Sequence, residues 1–188
     1  MPMGPFALMD EIGLDTGQHA AAVLEGAFGK RIGTATPILQ AIVAGGRLGK
    51  KNGEGLLPVQ ERQARAAPMR RSRSSPGPRS RSQLPVETLQ ERMVLAMVNE
   101  AAICLEDGVV REPRDVDVAM VYGTGFPRSA AGSLRYADSV GPAVLVDRLS
   151  RLADAQGERF RPAGLLRDMV REERRFYPGL KPSAAAAG

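Results

Sequence analysis

Apolar residues return every three or four positions along most of this chain, in short runs closed by glycine. That is the helical period. In the first block, residues 1–57, it predicts three short helices. Phe6, Leu8, Met9 and Ile12 mark the first, which Pro5 opens and Gly13 stops. Ala20, Val23, Leu24 and Ala27 mark the second, with Asp15 or Thr16 as its cap and Gly29 as its stop. Ile38, Leu39, Ile42 and Val43 mark the third, running from a Thr36 cap to Gly45-Gly46. Gly49, Gly53 and Gly55 make the stretch that follows a turn.

A longer element comes next. From 85 to about 107, Val86, Leu89, Met93, Met97, Ala101 and Cys104/Leu105 keep helical spacing, which predicts the central helix of a second block. Asp115 is placed to cap a helix with Val116, Ala119 and Met120 inward. Val144, Leu145, Leu149 and Leu152 line another that stops at Gly157, and Pro162 opens a last one carrying Leu165, Leu166, Met169 and Val170. Aromatic residues make up only 4% of the chain, with no Trp, while Ala, Leu, Met and Glu are plentiful, so the expected fold class is all-α.

The two blocks resemble each other at an offset of 128 residues. Gly4, Asp10, Gly13, Gly29 and Arg31 correspond to Gly132, Asp138, Gly141, Gly157 and Arg159, and Phe6, Ile12 and Ile32 to Leu134, Val140 and Phe160. Because the matches include helix stops and the acid ahead of them, duplication is the better reading than chance.

Charge changes the picture only in the middle. The net charge is +5, but residues 56–83 hold seven Arg and a single acid, Glu61, and the remainder is close to neutral. A near-neutral helical body has no electrostatic footprint for a phosphate backbone, so no nucleic-acid partner is expected. The single Cys104 excludes an internal disulfide framework and reads as a small buried hydrophobe. No apolar run approaches the ~18–20 residues needed to span a bilayer, and the start of the chain has no signal-peptide pattern. A cytoplasmic protein without a membrane span is expected.

Several ordered motifs carry a resemblance. They are Glu91-Arg92-Met93, Asn99-Glu100-Ala101-Ala102, Asp115-Val116-Asp117, Gly123-Thr124-Gly125-Phe126-Pro127 and Leu134-Arg135-Tyr136-Ala137-Asp138, together with Pro2-Met3-Gly4-Pro5-Phe6, Asp10 and Gly13-Leu14-Asp15. In this order they resemble the C-terminal region of the fatty acid oxidation complex alpha subunit, which joins an enoyl-CoA hydratase to an NAD-dependent 3-hydroxyacyl-CoA dehydrogenase. The resemblance implies two copies of a helical domain like the C-terminal domain of 6-phosphogluconate dehydrogenase, with the first copy truncated at its N-terminus. It implies this division: residues 1–57 the truncated first copy, 58–83 a disordered Arg/Ser/Pro-rich linker, 84–179 the second copy, and 180–188 a disordered tail.

It also implies what the chain leaves to others. NAD, the cofactor of the complete enzyme, requires a glycine-rich turn between a strand and a helix. Gly123-Thr124-Gly125 lacks a preceding strand pattern and reads as a helix stop, so no NAD is expected to bind this chain. The family's catalytic His, held by a Glu, belongs to the cofactor domain, and the lone His19 reads as a surface residue. No catalytic residue and no metal ligand is expected here. Glu91-Arg92 stands where the first copy of the family has a substrate-positioning Asn-Arg pair, so the second copy is not expected to bind substrate in the same way. Pro2, Met3, Gly4 and Pro5 are the one segment that the resemblance brings to the acyl-CoA cleft; a plain helix-start turn is an equally good reading. Lys50 and Lys51 could meet a phosphate, though a solvated turn explains them better. The partners implied are the dinucleotide-binding and hydratase domains, a thiolase-type subunit and the acyl-CoA substrate.

Two departures from the family pattern behave alike. Gly55 is followed by Leu56-Leu57-Pro58-Val59, where the family continues Phe-Tyr-x-Tyr. One choice of codons for residues 56–65, read one base later, encodes Phe-Tyr-Arg-Tyr-Lys-Asn-Gly-Lys-Arg. Where the family has Pro-Phe-Arg-Gly-Gly after Gly-Phe-Pro, this chain has Arg128-Ser129-Ala130-Ala131-Gly132, and a shifted frame again restores Phe-Arg-Gly-Gly. Compensated frameshifts or ordinary drift in a released loop both account for this. The leading functional expectation is a fragment of the dehydrogenase, supplying its substrate-cleft and domain-packing helices and inactive alone. The alternative is a non-catalytic binding protein that uses RRSRSSPGPRSRS as a basic disordered arm for nucleic acid.

Overall fold

The computed structural model describes residues 3–32, 36–57 and 84–179, and among them eight α-helices and no strand. The expectations for Pro2, for the 58–83 linker and for the 180–188 tail fall outside the described residues. The chain divides into two compact units, Met1–Gln83 and Leu84–Gly188.

The first unit contains α1 (Pro5–Ile12), α2 (Leu14–Phe28) and α3 (Thr36–Ala44). Gly4 is the N-cap of α1, with Pro5 in its first turn. One residue separates α1 from α2: Gly13, at φ 97° and ψ 133°, ends one helix and begins the other. A side chain rarely adopts that φ, so glycine is what lets the chain turn so tightly. This corrects the expected cap, because α2 starts at Leu14 and Asp15 lies in its first turn. There the Asp15 carboxylate accepts from Lys51 Nζ at 2.8 Å. The cap expected at Thr36 is not tested, because residues 33–35 ahead of α3 lie outside the described residues.

The second unit contains α4 (Val86–Glu106), α5 (Pro113–Ala119), α6 (Ser133–Val140), α7 (Pro142–Gln156) and α8 (Gly164–Arg171). Its core is a continuous cluster in which Leu95, Val98 and Ala102 of α4 meet Ala137 and Val140 of α6, Leu145 and Leu149 of α7, Phe160, and Leu166 and Met169 of α8. Burying each such large side chain contributes roughly 1.5–3 kcal/mol.

The face of α4 differs from the one expected. Of the expected line Ala101 is buried, but Val86, Leu89 and Met93 are 54, 44 and 60% exposed, and Leu95, Val98, Asn99 and Ala102, off that line, are buried. Both lines have helical spacing, and packing on α6, α7 and α8 selects the second. Two smaller corrections follow the same pattern. Helix α5 begins at Pro113 with Glu112 as N-cap, so Asp115 sits within its first turn. Helix α8 begins at Gly164, not at Pro162.

The element boundaries repeat. Helices α6 and α7 span the positions of α1 and α2 at the same 128-residue offset, and Gly141 joins them with the same φ 97° and ψ 133° as Gly13. A compensating exchange sits inside this hairpin. Ala137 and Leu145 of the second unit correspond to Met9 and Gly17, and a Cβ on Gly17 would collide with the Met9 side chain. The large side chain has moved from one helix to the other, which conserves volume. Helices α3 and α8 end at Ala44 and Arg171, one residue off that offset. Leu39 of α3 is 8% exposed, and Leu166 of α8 is fully buried.

Candidate functional site

The segment expected at the acyl-CoA cleft forms a helix start. Gly4 is extended at φ −69° and ψ 160°, and its carbonyl accepts from Leu8 N–H at 3.0 Å. Gly4 and Pro5 are exposed, Met3 is half-buried, and a Cβ on Gly4 would meet nothing within 4 Å. Pro2 lies outside the described residues.

At the equivalent place in the second unit the sequence builds a tighter structure. Ala131 has φ 55° and Gly132 φ 118°, and the backbone closes over the side chain of Asp117 so tightly that a Cβ on Gly132 would collide with it. Asp117, only 4% exposed, accepts Leu134 N–H at 2.7 Å and Arg135 N–H at 3.1 Å at the start of α6, and the Tyr177 hydroxyl at 2.7 Å. Its carboxylate serves as an internal cap for α6. Burial first, and then the bond to Asp117, push the Tyr177 phenol well above its ordinary pKa. Arg135 stacks on the Tyr177 ring at 4.4 Å from its centroid, in cation–π contact. Beside them opens a cleft of about 160 Å³ lined by Arg114, Val121, Tyr122, Ala131, Arg135 and Tyr177. The Asp117 carboxylate thus ties α6 and Tyr177 together through backbone N–H groups and the phenol.

A second carboxylate device occurs in both units. Asp138, fully buried at the end of α6, accepts Phe176 N–H at 3.0 Å and Tyr177 N–H at 2.7 Å. Asp10, 2% exposed at the end of α1, accepts Leu56 N–H at 2.6 Å and Leu57 N–H at 2.9 Å. Each aspartate pins the returning chain to the hairpin with two charge-assisted hydrogen bonds. Desolvation raises the Asp138 pKa, against the lowering effect of the two N–H groups and of Arg175. A third buried polar group, Asn99 of α4, donates to Arg161 C=O at 2.9 Å and accepts Ala163 N–H at 2.9 Å, which closes the turn into α8.

In the sequence Asp10 and Asp138 stand out as matched positions and, like Asp117 and Asn99, as parts of motifs, with no structural role attached. The signal that could have revealed them is an acid or amide on the apolar side of a helix, where a buried polar group must be partnered. Other candidates are placed plainly. Lys50 Nζ pairs with Glu11 at 2.7 Å, while Lys51 also reaches Thr16 Oγ1 at 3.1 Å, so both bind the turn to α1 and α2. Glu91, in place of the family's Asn, pairs with Arg148 at 3.1 Å. His19 is exposed on α2.

The Gly123-Thr124-Gly125 segment does not have the form of a pyrophosphate-binding turn. Gly123 and Thr124 lie in a π-helical turn, Met120–Thr124, which Gly125 ends in the left-handed conformation at φ 74°. No strand precedes it among the described residues. That is a helix stop, whereas a pyrophosphate site needs a strand leading into a glycine turn and a helix N-terminus.

Comparison with known proteins agrees with this geometry. The solved structure of 3-hydroxybutyryl-CoA dehydrogenase from Escherichia coli shares the fold, with a TM-score of 0.64 at 22% identity; the match covers 92% of this chain and 52% of that enzyme. The chain thus spans about half the length of the enzyme it matches. The family model "3-hydroxyacyl-CoA dehydrogenase, C-terminal domain" matches residues 1–58 and 89–176, taking in parts of both units. On that match this chain belongs to the family of 3-hydroxyacyl-CoA dehydrogenase C-terminal domains.

Proposed function

We propose that the chain supplies the substrate-cleft and domain-packing helices of an NAD-dependent 3-hydroxyacyl-CoA dehydrogenase of fatty acid β-oxidation, of the fatty acid oxidation complex alpha subunit type, in the cytoplasm. The observation that carries this reading is the family match over parts of both units. The recurring hairpins α1–α2 and α6–α7, with their shared glycine joint and aspartate device, support reading the units as two copies of one helical domain. In this reading Pro2 to Pro5 border the acyl-CoA cleft, and the cofactor and the catalytic His–Glu pair come from a dinucleotide-binding domain. Partners are that domain, the hydratase domain, a thiolase-type subunit and the acyl-CoA. NAD would supply the hydride acceptor when bound to its own domain; the residues of this chain hold the helical framework against which that domain packs.

The test is reconstitution. The purified chain with 3-hydroxybutyryl-CoA and NAD is expected to give no NADH, and to associate with a separately produced dinucleotide-binding domain of the same family. NADH formation by the chain alone, or failure of the two to associate, would overturn the reading.

Two structural details support the frameshift account of the departures from the family pattern. Asp10 holds Leu56-Leu57 as Asp138 holds Phe176-Tyr177, and the shifted frame restores Phe-Tyr at the first pair. Ala131 occupies a left-handed conformation where the family has glycine.

A further inference from the structure

Arginines of the second unit gather at the cleft beside Tyr177 without a carboxylate to hold them. Arg114, Val118, Val121 and Tyr122 fall on one face of α5 and the turn that follows it and form one wall; Ala131, Arg135 and Tyr177 form the other. Arg128 stands at the rim, its guanidinium 5.7 Å from the centroid of the Tyr122 ring. Among the described residues, Arg114, Arg128 and Arg135 make no ion pair. Elsewhere in the unit Arg148, Arg151, Arg161, Arg171 and Arg174 each have a carboxylate partner.

Stacking nevertheless fixes two of the cations. A guanidinium laid on an aromatic ring is held by its flat face, and its N–H groups stay in plane, available to donate; Arg135 on Tyr177 and Arg128 on Tyr122 are both of this kind. The one acid in the lining, Asp117, is turned inward. Its oxygens accept Leu134 N–H, Arg135 N–H and the Tyr177 hydroxyl, so the cleft presents an excess of positive charge. That charge is not needed to fold the hairpin. Arg135 of α6 corresponds to Ala7 of α1, a helix of the same length at the 128-residue offset.

Tyr122 adds an apolar requirement. It is 77% exposed, with Val118 beside it at 51%, so an uncovered ring and a methyl-bearing surface adjoin the cations. At about 160 Å³ the cleft is smaller than a pocket that encloses a whole ligand. It suits a charged head whose remainder lies outside, over Tyr122.

We propose that this cleft binds a phosphate monoester, the dianion held by Arg114 and Arg135 with Arg128 at the rim, and a planar apolar group of the ligand resting against Tyr122 and Val118. The number of guanidiniums favours phosphate over carboxylate. A phosphate monoester offers three terminal oxygens and up to two negative charges to several forks at once, whereas a carboxylate offers two oxygens and one charge. The site lies wholly in the second unit and does not rest on the dehydrogenase reading.

The experiment titrates the full chain, in phosphate-free buffer of low ionic strength, with phenyl phosphate, inorganic phosphate and benzoate, and follows heat and amide chemical shifts. Phenyl phosphate is expected to fill a single saturable site, shifting amides of α5 and the start of α6, and to bind at least about tenfold more tightly than benzoate. R114Q and R135A should each weaken it by at least about tenfold; both side chains are exposed, R135A installs the residue α1 has there, and melting curves check the fold. Y122A should weaken phenyl phosphate and leave inorganic phosphate unchanged. R167Q, which removes the same charge from an exposed position on α8, should change neither. Absence of saturable binding, benzoate binding as tightly as phenyl phosphate, or equal weakening by R167Q and the cleft variants would overturn the proposal. So would a Y122A variant that loses nothing. Each of these outcomes leaves the dehydrogenase reading to its own test, reconstitution with the dinucleotide-binding domain.

Discussion

The hairpin α1–α2 and the hairpin α6–α7 are the same length, turn through the same glycine conformation, and end their first helix on a buried aspartate that grips two successive backbone N–H groups. Their surroundings differ. Phe160 is 3% exposed and Ile32 40%; Leu134 is fully buried and Phe6 62% exposed. Local sequence is therefore enough to specify the hairpin, while burial of its apolar face depends on what packs across it. The difference bears on stability more than on form, because an uncovered face contributes little of the hydrophobic free energy that covered side chains supply.

The sharpest way to break this comparison is large-to-small substitution at matched positions. Phe160→Ala should destabilise the second unit by about 3–5 kcal/mol, while Ile32→Ala should cost the first unit under about 1 kcal/mol. Chemical denaturation monitored by amide exchange in each unit separates the two effects. Equal losses would show that the first face is buried after all.

A smaller effect is expected at the paired glycines that precede the hairpins. Gly132→Ala would bring a Cβ into the Asp117 carboxylate at a φ of 118°, and should cost about 1–3 kcal/mol through strain and disturbance of the α6 cap. At Gly4, where φ is −69° and the space is open, alanine should be neutral or stabilise by up to about 1 kcal/mol. Melting curves of the two variants decide this, and the same sign at both positions would contradict the comparison.

The smallest effect concerns the neighbouring residue. Ala131 is left-handed at φ 55°, so Ala131→Gly should raise stability by about 1 kcal/mol. A neutral or destabilising result in the same melting assay would show that the surrounding turn relieves the strain.

The site was legible to different depths in different places. Glycine stops at 13, 29 and 157, proline starts at 5 and the acids at 10 and 138 could all be read from the chain, because helix ends are encoded by the backbone freedom of single residues. The roles of those acids could not. Asp10 and Asp138 act on Leu56-Leu57 and Phe176-Tyr177, dozens of residues away, and Asp117 acts on α6 and Tyr177. Partners so distant in sequence carry no local signal.

By itself the sequence determined the helical class, the hairpin repeat at 128 residues and the glycine joints, since each follows from periodicity and backbone conformation within a few neighbouring positions. Tertiary structure alone decided which stripe of α4 is buried. Val86, Leu89 and Met93 are as apolar and as regularly spaced as Leu95, Val98 and Ala102, but only the second line meets α6, α7 and α8. It decided too that the caps expected at Asp15 or Thr16 and at Asp115 are residues within the first turn, because Gly13 and Pro113 let α2 and α5 start earlier. Hydrophobic spacing fixes that a helix has an inner face; the elements packed around it choose which face that is.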